Sequence, residues 1–186
     1  MKINYMSKIK ICITGGSGFI GMNAMNWALS KYDTINLDIH PPKILEQQKY
    51  WQYVDIRDFE TFKKALLDFQ PTHIIHLAAK TGMNISDMTF FDANTKGVEN
   101  LIKATQELTC VKRVVFASTL LICKNGYVPI SDTEYDPPNL YGESKVIGEK
   151  LVRESKMKCS WVIVRPTSIW GPWFEHSYRT FFQVIN

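Results

Sequence analysis

Thr14-Gly15-Gly16-Ser17-Gly18-Phe19-Ile20-Gly21 is the stretch on which the reading of the chain turns. Upstream of it, Ile9, Ile11 and Ile13 alternate with Lys10 and Cys12, the pattern of a strand bound for the middle of a sheet. Downstream, Ala24, Trp27 and Ala28 recur at helical spacing, with Met25 and Leu29 widening the apolar face. The glycines therefore stand at a strand-to-helix turn. A dinucleotide's pyrophosphate needs glycine in that setting. Gly15 makes the tight turn, Gly18 lets the backbone approach the phosphates, and Gly21 lets the helix pack closely on the strand. Phe19 and Ile20 open the helix, whose N-terminal N–H groups and positive dipole end favour phosphate charge. The alternative is a purely structural turn, and the flanking strand and helix weigh against it.

The chain has 186 residues, enough for one domain with a substantial core, and its 45% hydrophobic content is ordinary. The net charge of +4 is mild. No basic stretch is interleaved with aromatics, so nucleic acid is not the expected partner. No apolar run approaches membrane-spanning length, and the first ten residues lack the apolar core of a signal peptide. Cys12, Cys110, Cys123 and Cys159 show no paired metal-type spacing and read as reduced thiols of a cytoplasmic protein.

Residues 34–38 read as a second strand ending in Asp38, which stands about 20 residues past the glycine turn. A carboxylate there accepts hydrogen bonds from the adenosine ribose hydroxyls and repels a 2′-phosphate, which favours NAD over NADP; Lys43 nearby softens that preference, and the lesser alternative is an aspartate that merely caps the strand. Pro41-Pro42 opens a loop. Residues 50–56 read as a third strand whose end, Asp55-Ile56, faces an adenine. Asp58 begins a helix with Phe62, Ala65, Leu66 and Phe69 on one face, stopped by Pro71.

Residues 73–79 form a fourth strand and its exit. His73 and His76 are three apart, so on a strand they point to opposite faces and share no metal ion. Leu77-Ala78-Ala79 offers small side chains where backbone passes a ribose or phosphate. Ser86 or Asp87 caps a long helix to Leu108, with Phe90, Phe91, Val98, Leu101, Ile102 and Leu108 as its apolar face. Asn94 lies inside that face and needs partners, as a brace for neighbouring backbone or in catalysis. Residues 113–117 are a fifth strand that delivers Ser118 and Thr119; residues 161–166 are a sixth, closed by Pro166. Strand and helix in alternation mean an α/β fold of Rossmann type, a doubly wound parallel sheet with helices on both faces.

Tyr141 and Lys145 are four apart and share a helix face. A free phenol ionises near pH 10, and bringing it to about 7 takes roughly 4 kcal/mol. A lysine ammonium together with a cationic nicotinamide ring supplies that in a dry site. Tyr141 then removes a hydroxyl proton while Thr119 hydrogen-bonds the same oxygen. Taken alone, the Tyr–Lys pair equally suits a wet helix face.

These features, in this order, resemble the extended short-chain dehydrogenase/reductase family, and within it the NAD-dependent nucleotide-sugar epimerases and dehydratases. The stretches that carry the resemblance are residues 14–21, Asp38, Asp55-Ile56, residues 76–79, Asn94 to Gly97, Ser118-Thr119, Tyr141 to Lys145, Arg165-Pro166 and Gly171-Pro172. The resemblance implies Tyr141 as base, Lys145 as its partner and ribose ligand, and Thr119 as the hydroxyl of the triad. It adds Ser118, Asn94 and Pro166 to the cofactor site, a UDP-, GDP- or dTDP-linked sugar as substrate, and a homodimer through the long helix and the Tyr141 helix. It divides the chain into a cofactor domain, residues 1–169, and the start of a truncated substrate-binding region, residues 170–186. Cys123-Lys124 stands where the family usually carries Tyr-Gly. Two further readings accompany this one: a reductase or hydroxysteroid-type dehydrogenase of the same superfamily, and an NAD-binding module without turnover.

Overall fold

The computed structural model describes residues 9–174. Strand β1, Lys10–Thr14, is buried along nearly all its length because a strand lies on each side of it: β2, Asp33–Asp38, and β4, His73–His76. With β3 (Trp51–Tyr53), β5 (Arg113–Ala117) and β6 (Ser160–Val164) these make one parallel sheet in the order β3-β2-β1-β4-β5-β6. The order reverses direction between β1 and β4. Ligands of such sheets bind beyond the strand C-termini at that switch point.

Helix α1, Phe19–Leu29, covers one face with Met25 and Ala28 packed on Ile11 and Ile13. Helices α2 (Phe59–Phe69), α3 (Asp92–Glu107) and α4 (Leu140–Glu154) cover the other, where Phe62, Leu66, Leu101 and Val152 close on Cys12, Leu37, Ile74 and Val114. Local chemistry sets the helix ends. Asp58 accepts from the Thr61 N–H and hydroxyl at the start of α2, and Gln70 turns left-handed at φ 56° just before Pro71. Asn139 Oδ1 accepts the Gly142 N–H at 2.9 Å and starts α4.

Several expectations need correcting. Trp27 is 48% exposed, because the inward stripe of α1 is Gly21, Met22, Met25 and Ala28. The third strand is three residues rather than seven, since it pairs only with Asn36–Asp38 of β2. Ahead of it a 3-10 turn, Leu45–Tyr50, is pinned to α1 by Gln47, whose buried amide donates to the Met22 carbonyl and Asn26 Oδ1. Asp87 caps a 3-10 turn, Met88–Phe91, and α3 starts only at Asp92. The tighter turn rotates the two phenylalanines apart, so Phe91 is fully buried while Phe90 is exposed. The apolar residues of α3 are used within the chain, and its outer strip carries Lys96, Glu99 and Lys103, with Lys103 Nζ 2.7 Å from Glu99. Beyond β6, Trp170 and Trp173 are exposed, as are Val162 and Val164 on the strand itself. The expected division at residue 169 falls beside this stretch, and residues 175–186 of the expected second region lie outside the described residues. Among the described residues no helix is long and apolar enough to cross a membrane, and no cluster of His, Cys, Asp and Glu is placed to hold a metal.

Candidate cofactor groove and active site

A groove of about 250 Å³ opens at the C-terminal ends of β1, β2, β3 and β4. Gly15, Gly18, Asp38, Asp55, Ile56, Leu77, Ala78 and Ala79 all line it, so one concavity gathers these residues from four separate parts of the chain. The turn at its floor is closed by contact. Gly15 has φ +73°, and a Cβ there would lie 2.5 Å from Ala78 N. A Cβ on Gly21 would lie 2.1 Å from the Gly15 carbonyl oxygen, so the helix comes as near to the turn as backbone allows. At Gly18 a Cβ would meet only the Gly15 carbonyl oxygen, at an ordinary contact distance of 3.4 Å.

Gly18 is also the N-cap of α1, and no side chain caps that helix start; α2 and α4, by contrast, are capped by Asp58 and Asn139. Uncapped N–H groups with no acidic residue in the first turn are what an anion needs. Phe19 and Ile20 begin the helix, the Phe19 ring lying 5.0 Å edge-on from Phe174 and Ile20 half-exposed. Asn23 Nδ2 reaches the Pro172 carbonyl at 3.1 Å, so the segment after β6 rests on the start of α1.

Asp38 stands over the turn. One carboxylate oxygen accepts the Ser17 N–H and the other the His40 N–H, both at 3.0 Å. Each oxygen keeps a lone pair for a further donor, and both sit at the groove wall. Asp55 is forked to Arg57, with Oδ2 2.6 Å from Arg57 Nη2, and that guanidinium holds its carboxyl below the usual range. His40, Arg57 and Lys80 also line the groove, and the sequence reading missed all three. Arg57 had a visible signal, its place directly after Asp55-Ile56; His40 and Lys80 had none. Asn94 is fully engaged as a brace: it accepts from Lys80 N–H at 2.8 Å and donates to the Lys80 carbonyl and Ser144 Oγ at 2.9 Å. It therefore fixes the backbone that forms the groove edge and does not line the groove itself.

The second centre lies at the end of β5. Ser118 N–H donates to the Val164 carbonyl at 2.7 Å and Leu120 N–H to the Pro166 carbonyl at 3.1 Å, which ties Pro166 beside Ser118-Thr119. Tyr141, in the first turn of α4, stands near the Thr119 hydroxyl. Burial raises its phenol above the usual value, and the nearby Thr119 hydroxyl opposes this in part. Lys145 Nζ donates to the Ala117 carbonyl at 3.0 Å; burial lowers it to about 8, with Glu149 pulling the other way. The Lys145 ammonium is thus turned onto the end of β5, one helical turn from the phenol.

The residues present suit a dinucleotide on the evidence of this geometry. A glycine cradle that a Cβ would fill lies under an uncapped helix, with a carboxylate above it. The profile of the NAD dependent epimerase/dehydratase family matches residues 11–186. The chain belongs to that family.

This family member is 30% identical over 172 residues to the N-acetyl-alpha-D-glucosaminyl-diphospho-ditrans,octacis-undecaprenol 4-epimerase of Escherichia coli O157:H7, across 87% of this chain and 49% of that one. It is 27% identical to a 3-beta-hydroxysteroid dehydrogenase of Mycolicibacterium neoaurum, across 95% of this chain and 52% of that one. Among solved structures, the Bordetella bronchiseptica enzyme WbmG in complex with NAD superposes with a TM-score of 0.82 at 26% identity, covering 98% of this chain and 61% of that one. The same enzyme is also known in complex with NAD and UDP. The chain spans about half the length of the curated relatives it matches. The Rossmann-type sheet and the extended short-chain dehydrogenase/reductase resemblance read from the sequence both stand.

Proposed function

We propose that the groove binds NAD, and that the whole protein is an NAD-dependent nucleotide-sugar epimerase or dehydratase acting through Tyr141. One observation carries this reading: Tyr141 and Thr119, with Lys145 on the Ala117 carbonyl, stand at a strand end of the sheet whose switch point holds the Asp38 and Gly18 groove. The N–H groups opening α1 at Gly18, Phe19 and Ile20 take the pyrophosphate. Asp38 accepts the adenosine ribose hydroxyls, Asp55 and Ile56 flank the adenine, and Leu77, Ala78 and Ala79 form the wall. Asn94 holds that wall through Lys80, and Ser118 and Pro166 border the nicotinamide end. NAD, when bound, supplies the hydride acceptor and a cationic ring beside the phenol. Tyr141 takes the proton of the sugar hydroxyl, Thr119 holds the same oxygen, and Lys145 grips the nicotinamide ribose. Four unpaired cysteine thiols suit a cytoplasmic setting.

UDP, GDP and dTDP are the nucleotide carriers this reading covers. The hydroxysteroid reading has its own support in the steroid dehydrogenase matched over 95% of this chain. A homodimer through α3 and α4 rests on the resemblance alone, and the polar outer strip of α3 makes sedimentation velocity at micromolar protein its test. The substrate reading is tested by mass spectrometry of the whole gene product with NAD and a panel of UDP-, GDP- and dTDP-sugars beside 3β-hydroxysteroids. Epimerised or dehydrated sugar that disappears in Tyr141→Phe supports the proposal; turnover of the steroids alone overturns it.

A further inference from the structure

A small cavity of about 20 Å³, which shares Ala78 with the groove wall, lies between the ends of β4 and β5 and the middle of α4. His76, Asn94, Ser118, Lys145 and Glu149 supply its polar lining. Two of them carry buried polar atoms with no hydrogen-bond partner. His76 is 4% exposed and its Nε2 has no partner; Ser118 is 7% exposed and its hydroxyl has none. The Ser118 hydroxyl faces the Glu149 carboxylate and helps hold it ionised, but lies outside hydrogen-bonding geometry. An internal water needs roughly 10–15 Å³ of such space and two to four polar partners. The cavity meets both conditions.

We propose that this cavity holds one internal water bound by His76 and Ser118, and that through it the Glu149 carboxylate keeps Lys145 cationic. Glu149 is then a positioning residue, acting on the substrate side only through Lys145. This rests on the assignment of Lys145 to the active site.

The charges around Lys145 leave this task to Glu149. On α4 itself the neighbours are Tyr141, one turn back, and Glu149, one turn on. From β4 comes His76, which burial and the Lys145 charge lower to about 3, so it is a neutral dipole at working pH. From the end of β5 come the Ala117 carbonyl, Ser118 and Thr119, and from α3 the neutral Asn94. Arg165, after β6, binds Glu149 through Nε at 2.9 Å and Nη2 at 2.6 Å, and Tyr135 donates its hydroxyl to the same carboxylate at 3.2 Å. Arg153 Nη2 stands 3.8 Å from it. Burial works against ionised Glu149, yet Arg165 and the surrounding donors outweigh it and hold the carboxyl below its usual range. Glu149 is the one carboxylate lining the cavity. Lys145 stands at about 8 with this anion present, so a further unit lost would leave much of it neutral near pH 7.5.

The test is the titration of Lys145 by NMR, in cofactor-free protein labelled with 13C at the lysine ε-carbons and assigned by loss of its signal in Lys145→Arg. The readout needs neither NAD nor a sugar, so a failure of the proposed function leaves it intact. Glu149→Gln is expected to lower the Lys145 midpoint by about one unit or more, and Glu149→Asp to restore it. Ser118→Val fills the cavity, spares the Glu149–Arg165 pair and lowers the midpoint as well. Should Glu149→Gln fail to fold with Arg165 unpaired, Ser118→Val carries the result. An unchanged midpoint in either variant, or a crystal structure showing the cavity dry, overturns the proposal.

Discussion

In the proposed reading, Asp38 carries the choice of cofactor in a single carboxylate. Its two oxygens are held by the Ser17 and His40 N–H groups, so the side chain is oriented before any ribose arrives. Hydrogen bonds to an ionised acceptor contribute about 1.5–3 kcal/mol each. Asp38→Ala is therefore expected to weaken NAD by about tenfold or more and to relax discrimination against NADP, because the charge that repels a 2′-phosphate is gone. Quenching of intrinsic tryptophan fluorescence by each nucleotide measures both effects; an unchanged preference would move that choice to His40, Arg57 or Lys80. The spacing of Tyr141 and Lys145 places both on one helix face, and the structure adds that the Lys145 ammonium rests on the Ala117 carbonyl while burial raises the phenol.

At the scale of the element, α4 is the part that holds the proposed chemistry in place, since Tyr141 in its first turn and Lys145 in its second share one rigid backbone. Asn139 caps it at 2.9 Å. Asn139→Ala is expected to cost about 1 kcal/mol of stability, read as a lower midpoint in urea unfolding with an unchanged slope. Loss of less than a few tenths would show that the cap is replaced by water. The regular elements were legible because their patterns are local. Alternation marks β1, helical spacing marks α2, and Asp58 and Pro71 bracket that helix. The irregular ones were not. The 3-10 turn at Leu45–Tyr50 is organised by a polar residue, Gln47, buried against α1, and no periodicity announces a buried glutamine. Phe90 and Phe91 read as one apolar face until the chain is seen to wind more tightly there. The groove was legible in its glycines, Asp38 and alanines, whose residue types the task demands. His40 and Lys80 were not, because they reach the groove through loop paths that only the assembled sheet defines.

For the whole molecule, the buried His76 makes stability depend on pH. Its folded value is about 3 against an ordinary 6.5, so below pH 6.5 the unfolded chain takes up a proton that the native state refuses. Stability is then fully present above pH 6.5 and falls by up to about 1.4 kcal/mol per pH unit as pH drops towards 3. Thermal melts at pH 7 and pH 5 should differ accordingly, and His76→Gln should flatten the difference; an equal slope in the variant would assign acid sensitivity to another group. Size matters too. The curated relatives are about twice as long, and binding of remote parts of a substrate positions its reacting carbon, an effect that accounts for roughly 7–11 kcal/mol of a barrier. Losing about 5 kcal/mol of it slows turnover by three to four orders of magnitude. A polypeptide of these 186 residues is accordingly expected to bind cofactor while turning over sugar nucleotides far below ordinary enzyme rates, which product detection by mass spectrometry will show.

The central claim, that the groove between Gly18 and Asp38 is a site for NAD, is tested most directly by isothermal titration of this chain with NAD and with NADP. One NAD per chain, bound more tightly than NADP, is the predicted result. No binding of either nucleotide by folded protein, or tighter binding of NADP, would contradict it.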